Sequence, residues 1–157
     1  MRAGIALGSN LGDRHSIMSQ ALKDLLEIHD WESGPFLASS LLETEPQDCP
    51  PDSPRFLNSV VEIETTRQPH ELIQLLQNLE VRFGRPLEHG YHAPRSLDLD
   101  LLYCDEMTLD DPDLQLPHPR IRERLFVLKP LAEIRPDLQL PGWTASCNEY
   151  LRSIHNK

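Results

Sequence analysis

An α+β fold is predicted by the order in which two hydrophobic periodicities alternate along the 157 residues. Short apolar or alternating runs at 3–9, 36–45, 56–66 and 97–104 read as strands. Segments with apolar residues at three- and four-residue spacing fall after the first strand and after the third. The resulting order, strand, helix, strand, strand, helix, strand and then further helix, is the βαββαβ pattern of the ferredoxin-like sandwich. That architecture is an antiparallel sheet with helices on one face, here with additional C-terminal helices, leaving the opposite sheet face for loops or a ligand. The length fits a single domain, 1–157, able to bury about two-thirds of its unfolded surface.

The first strand is "AGIALGS", apolar throughout and so buried. In the helix that follows, Ile17, Ala21, Leu22, Leu25, Leu26 and Ile28 recur at helical spacing, with Asp13 as N-cap. "FLASSLLETE" and "FLNSVVEIETT" are apolar and β-branched and read as strands, separated by "PQDCPPDSPR", too rich in Pro and Asp for regular structure. The second helix, 69–84, opens on Pro69, sets Leu72, Ile73, Leu76, Leu79 and Phe83 on one face, and stops at Gly84. "RERLFVLKPLAEI" is helical but interrupted by Pro130, and "SCNEYLRSIH" is a short terminal helix.

In the fourth strand, "LDLDLLYC", alternation groups Leu97, Leu99, Leu101 and Tyr103 on one face and Asp98, Asp100, Leu102 and Cys104 on the other. Two like charges then sit side by side, roughly 6–7 Å apart by strand rise, an arrangement that normally destabilises a sheet. Either water screens them or something positive lies between them. Magnesium fits the second case, because it takes hard oxygen ligands and is commonly held by one or two carboxylates plus substrate phosphates.

Charge distribution supports that reading. The chain carries a net charge of −10, which argues against nucleic-acid or anionic-membrane partners. Yet 81–95 is net +2, from Arg82, Arg85 and Arg95 against Glu88, and 117–129 is net +3, from Arg120, Arg122, Arg124 and Lys129 against Glu123. These basic stretches bracket the Asp pair, which suits a metal-bound polyphosphate, although any single one of these arginines reads equally well as ordinary surface charge. Three cysteines (Cys49, Cys104, Cys147) at unrelated spacings indicate a reducing compartment without a disulfide framework. No apolar run approaches the roughly 18–20 residues of a membrane span, and Ala3–Leu7 is too short for a signal peptide, so a cytoplasmic location is expected.

Three further stretches carry chemistry. "GSNLGD" lacks the ending of a phosphate-binding loop and reads as turn geometry, with Gly8 letting the backbone bend, ahead of a direct phosphate cradle. In "FLN", Phe56 and Asn58 share a strand face, a ring beside an amide that both donates and accepts. A flat heterocycle can use both, although a core Phe and a strand-end Asn is the plainer reading of those residues alone. "LPHPRIRERLFVLKPL" adds His118, Arg124 and a second ring, Phe126.

Together these stretches resemble the 6-hydroxymethyl-7,8-dihydropterin pyrophosphokinase family, nearly end to end: "ALGSNLGDR", "ETEP", "FLNSVVEIET", "LQNLEVRFGR", "HAPRSLDLDLLY" and "LPHPRIRERLFVLKPLAEIRP". The resemblance implies transfer of a diphosphate from ATP to the pterin alcohol, with AMP released, in folate biosynthesis. It implies two magnesium ions on Asp98 and Asp100, and a pterin sandwiched by Phe56 and Phe126, read by Asn58 and touched by Thr44. Gln77, Glu80, Arg85, Arg95, His118 and Arg124 match positions around the ATP, with Arg95, His118 and Arg124 the phosphate contacts and, with the Asp pair, the catalytic set. Departures from the family occur at Leu87 and His92, where an Arg and a Trp can stand, at Glu45 beside Thr44, and at Asp113 and Pro119 on the nucleotide side. The expected partners are small molecules, with no nucleic acid or membrane, the chain acting as a monomer with at most weak association with other folate-pathway enzymes. Two rival readings are a nucleotide or pterin sensor without catalysis and an RNA-binding sheet, the latter disfavoured by the charge.

Overall fold

The computed structural model describes residues 1–10, 13–44, 55–83 and 97–155. Gly84 as a helix stop, like Arg85, Leu87, His92, Arg95, Glu45 and Cys49, lies outside the described residues. The elements run β1 (Arg2–Ser9), α1 (Arg14–Ile28), β2 (Leu37–Ala38), β3 (Leu42–Thr44), β4 (Phe56–Glu64), α2 (Pro69–Arg82), β5 (Asp98–Cys104), β6 (Leu109–Asp111), β7 (Leu114–Leu116), α3 (Leu125–Ile134) and α4 (Cys147–His155), with a 3-10 turn at Ile121–Glu123. β1 is central, antiparallel to β4 on one side and β5 on the other, while β2 and β3 both pair antiparallel with β4. This is the expected α+β, ferredoxin-like sheet. No helix among the described residues is long and apolar enough to cross a membrane.

Two cores sandwich the sheet. Beneath α1 and α2, Met18, Ala21, Leu25, Leu72, Leu76 and Leu79 pack on Ala3, Ile5, Leu7, Leu57, Val61 and Ile63. On the other face, Val127, Leu128 and Leu131 of α3 and Cys147 of α4 pack on Ala6, Val60, Leu102 and Tyr103. The face expected to stay free is therefore partly covered, and among the described residues the part beyond the N-terminal end of α3 remains for a ligand. Asp13 caps α1 as expected, its side chain accepting from the Ser16 amide.

Four local expectations change. The alternation of β5 breaks where the pairing with β1 shifts: Gly4 faces Tyr103, but the next residue, Ile5, faces Leu101. This irregularity turns Tyr103 to the α3 side and Cys104 to the α1/α2 side, the reverse of strict alternation, because an extra residue inverts everything beyond it. Asp98 and Asp100 precede it and keep their shared face. The single strand expected over 36–45 is two short ones. Between them buried Ser39 donates its amide to the Val60 carbonyl while its hydroxyl accepts from the Val60 amide, both at 2.9 Å, a side chain standing in for ladder geometry. Pro130 sits within a continuous α3 and is buried there, so the burial of its ring offsets the lost backbone hydrogen bond. The β6–β7 hairpin was not expected, although Leu109, Leu114 and Leu116 flanking a Pro-Asp turn carry its signal.

Tyr103 fixes the two layers to each other. Its ring lies over Gly4, where an added Cβ would come within 2.2 Å of Cε2 and 2.4 Å of Cζ. Its hydroxyl donates to buried Glu62, which also accepts two hydrogen bonds from Arg135 Nη1, at 2.8 and 2.6 Å, just beyond α3. Burial, first, and then the adjacent Glu62 charge hold the phenol well above its usual pKa, so it stays a donor. Because the hydroxyl is anchored, the ring cannot swing aside. Gly4→Ala is therefore expected to lower stability by about 2–3 kcal/mol through overpacking, read as a lower urea midpoint with unchanged slope. An unaltered midpoint would mean the ring does not seal that position.

Candidate active site

The uncovered part of the sheet holds a cavity of about 280 Å³ lined by Ala6 and Gly8, Thr44, Phe56 and Asn58, Asp98 and Asp100, and Arg120, Arg124 and Phe126, at the small end of ligand sites. Sheet register builds its floor. Gly8 pairs with Asn58 on one side and Asp98 on the other, and Ala6 pairs with Val60 and Asp100. Small residues on the central strand leave the space between the amide and the carboxylates open. A Cβ on Gly8 would lie 3.2 Å from Asn58 Oδ1 and 3.9 Å from Phe56 Cδ1. Gly8 is thus needed for room within a strand, and not for the backbone bend expected of it.

Asn58 is 5% exposed and donates from Nδ2 to Thr44 Oγ1 at 2.7 Å. That bond fixes which way the amide faces and leaves Oδ1 as an acceptor on the cavity side of Gly8. Phe56, at the start of β4, and Phe126, in the first turn of α3, bring two rings from separate segments to the one cavity. Arg124 stands 3.7 Å from Asp100 Oδ2, with its guanidinium carbon 5.9 Å from the Phe126 ring centre. The lining thus carries two carboxylates and two guanidiniums. Among the described residues no cluster of three or more His, Cys, Asp and Glu forms, so Asp98 and Asp100 are a two-carboxylate donor set with hard oxygen atoms only. That set fits a magnesium ion whose remaining ligands come from water and phosphate.

A second cavity, of about 290 Å³, lies on the far side of β5, lined by Ile73 of α2, Leu99, Asp100 and Leu101, Pro112–Gln115 of the hairpin, and His118 and Pro119. Asp100 is the residue both cavities share. His118 is placed by its backbone, whose amide donates to the Leu102 carbonyl at 2.7 Å. Its Nδ1 accepts from the Arg120 amide at 3.2 Å, which leaves the proton of the neutral ring on Nε2. Burial, and then the charges of Arg124 and Arg120, depress its pKa, so the ring is neutral at pH 7.

The remaining expected residues divide. Gln77 is exposed on α2 and lines neither cavity. Glu80 is buried, 3% exposed, and its Oε2 accepts from the Leu99 amide at 2.9 Å. It therefore grips the strand between the two aspartates from α2. Arg85 and Arg95 lie outside the described residues. Sequence reasoning missed Arg120 and Gly8 as lining residues; the charge of 117–129 pointed to the stretch but not to which arginine faces inward.

The chain has relatives. A family model described as 7,8-dihydro-6-hydroxymethylpterin-pyrophosphokinase matches residues 4–136. The 2-amino-4-hydroxy-6-hydroxymethyldihydropteridine pyrophosphokinase of Bacillus subtilis is 41% identical over 147 residues, covering 94% of this chain and 86% of that protein. The protein of the same name from Pseudomonas aeruginosa is 39% identical over 140 residues, covering 89% of this chain and 84% of its own length. Among solved structures, wild-type HPPK-DHPS of Plasmodium falciparum with pteroate is similar at a TM-score of 0.74 and 14% identity, over 98% of this chain and 42% of that one, a likeness of fold.

The Glu80 contact yields a prediction independent of any ligand. Glu80→Ala orphans a buried amide and is expected to cost about 2 kcal/mol, whereas Glu80→Gln keeps an acceptor oxygen and recovers most of it. Urea unfolding and the exchange rate of the Leu99 amide read this directly. Equal losses in the two variants would mean that the charge, and not the hydrogen bond, holds the strand.

Proposed function

The chain belongs to the 7,8-dihydro-6-hydroxymethylpterin-pyrophosphokinase family, and from that premise we propose that it transfers a diphosphate from ATP to the hydroxyl of 6-hydroxymethyl-7,8-dihydropterin, releasing AMP, as a step of folate biosynthesis. One observation carries the assignment of parts: two cavities meet at a single residue, Asp100. The cavity with two rings and the oriented amide suits the pterin. The one between α2, β5 and the hairpin suits the nucleotide. The diphosphate then crosses beside Asp98 and Asp100.

Asp98 and Asp100 would hold the two magnesium ions, which when bound offset the charge of the phosphate oxygens. The residues do the remaining work by position. Phe56 and Phe126 stack the heterocycle and Asn58 reads its edge, aiming the hydroxyl at the β-phosphorus. A bond forms from that oxygen to the β-phosphorus, the bond from the β-phosphorus to the oxygen bridging it to the α-phosphorus breaks, AMP departs and the hydroxyl proton is lost to solvent. Arg124 lies beside Asp100, where the phosphates pass, and neutral His118 offers an Nε2–H to a phosphate oxygen. Arg95 is assigned to the same phosphates on family grounds, with Gln77, Glu80 and Arg85 around the nucleotide. For Glu80 the buried contact with Leu99 supports a role through the strand. Phosphoryl transfer asks mainly for such positioning and electrostatics. We place the enzyme in the cytoplasm, acting as a monomer.

AMP formation from ATP, magnesium and the pterin alcohol tests the reading. Asp98→Ala and Asp100→Ala should each lower kcat by roughly a thousandfold or more while the protein stays folded, since both side chains face the cavity. Phe126→Ala should raise KM for the pterin about tenfold or more and leave KM for ATP near its original value. Wild-type protein that binds ATP and pterin but forms no AMP would favour the non-catalytic sensor.

A further inference from the structure

The arginines near α3 have separate fates, and one is left over. Arg122 lies against both Trp143 and Tyr150, 5.8 and 5.6 Å from their ring centres. Arg124 pairs with Asp100, and Arg135 is held by Glu62. Arg120 lines the first cavity and not the second, and among the described residues its guanidinium has no carboxylate or aromatic partner. Its backbone is nevertheless fixed. Its amide donates to His118 Nδ1, and the next residue, Ile121, is 1% exposed in the α3-side core. The backbone of Arg120 is thus held between a half-buried histidine and a buried isoleucine, and its side chain is presented at the cavity from a fixed point.

This position matters because of what enters and leaves that cavity. On the proposed reaction, the substrate on this side is a neutral alcohol, which gains nothing from a guanidinium. The product there is a diphosphate ester of several negative charges. We propose that Arg120 is a further positioning residue that takes hold of the diphosphate as the bond from the β-phosphorus to the pterin oxygen forms and the bond to the α-phosphate oxygen breaks. A contact made only as charge arrives on the acceptor side stabilises the transition state and product, not the bound alcohol, and a guanidinium fork suits phosphate oxygens. The inference rests on the activity proposed above.

Binding of two ligands separates the possibilities. With magnesium present, titration of wild type, Arg120→Ala and Arg120→Lys with the pterin alcohol and with its diphosphate gives two Kd values for each protein. Arg120→Ala is expected to leave the alcohol within about twofold and weaken the diphosphate by about tenfold or more, the size of a charge-assisted hydrogen bond. Arg120→Lys should recover part of that, keeping the charge without the fork. Equal weakening of both ligands would make Arg120 a wall of the cavity, and no change in either would leave it a surface residue; both results overturn the inference. Wild-type protein that binds neither ligand overturns the activity itself, and this inference with it.

Discussion

The whole α3 side of the sheet depends on how little volume its central strand offers there. Gly4, Ala6 and Gly8 follow one another along that face of β1, and each absence of side chain is used differently. At Gly4 the space is filled by the Tyr103 ring. At Ala6 it is shared between α3 packing and the cavity wall. At Gly8 it stays open between Asn58 and Asp98. A larger residue at any of these points would lift α3 or fill the site, since a packed interior has no slack to absorb it.

The same stripe sets the distance between chemistry and scaffold. Tyr103, Glu62 and Arg135 tie β5, β4 and the C-terminal end of α3 together at the filled end. Ser40 adds to this by donating both its amide and its hydroxyl to Glu133 of α3. With α3 fixed at that end, its first turn reaches over the open end and delivers Arg124 and Phe126 to the cavity. A buried ion pair is weak grounds for stability, but here it governs registry, because the carboxylate joins two strands to one helix.

Polar groups at the site are each oriented by a hydrogen bond from within the fold. Thr44 sets the Asn58 amide, the Arg120 amide sets the His118 tautomer, and Glu80 holds the backbone between the aspartates. This division separates the groups that face the cavities from the contacts that orient them, and of those contacts the one made by Glu80 is buried. The like charges of Asp98 and Asp100 face two arginines on the same lining, so even without a cation the pair is not isolated. A site with this balance of charge can accept a metal and an anionic group together, whereas two carboxylates alone would repel the anion.

What the sequence by itself determined was local. The element order, the Asp13 cap, the shared face of Asp98 and Asp100 and the pairing of Phe56 with Asn58 each depend on residues a few positions apart, where helix and strand periods act directly. Family resemblance added which distant stretches belong to one site. Only the tertiary structure decided the outcomes that depend on pairing between segments. The shift between β1 and β5 reversed Tyr103 and Cys104. The meeting of α2, β5 and the β6–β7 hairpin made a second cavity, and Glu80 became a strand support through a contact 19 residues away. Among Arg120, Arg122, Arg124 and Arg135 the sequence shows four similar charges. Their partners, Trp143 and Tyr150, Asp100 and Glu62, arrive from other parts of the fold, and spacing along the chain holds no information about which arginine is left without one among the described residues.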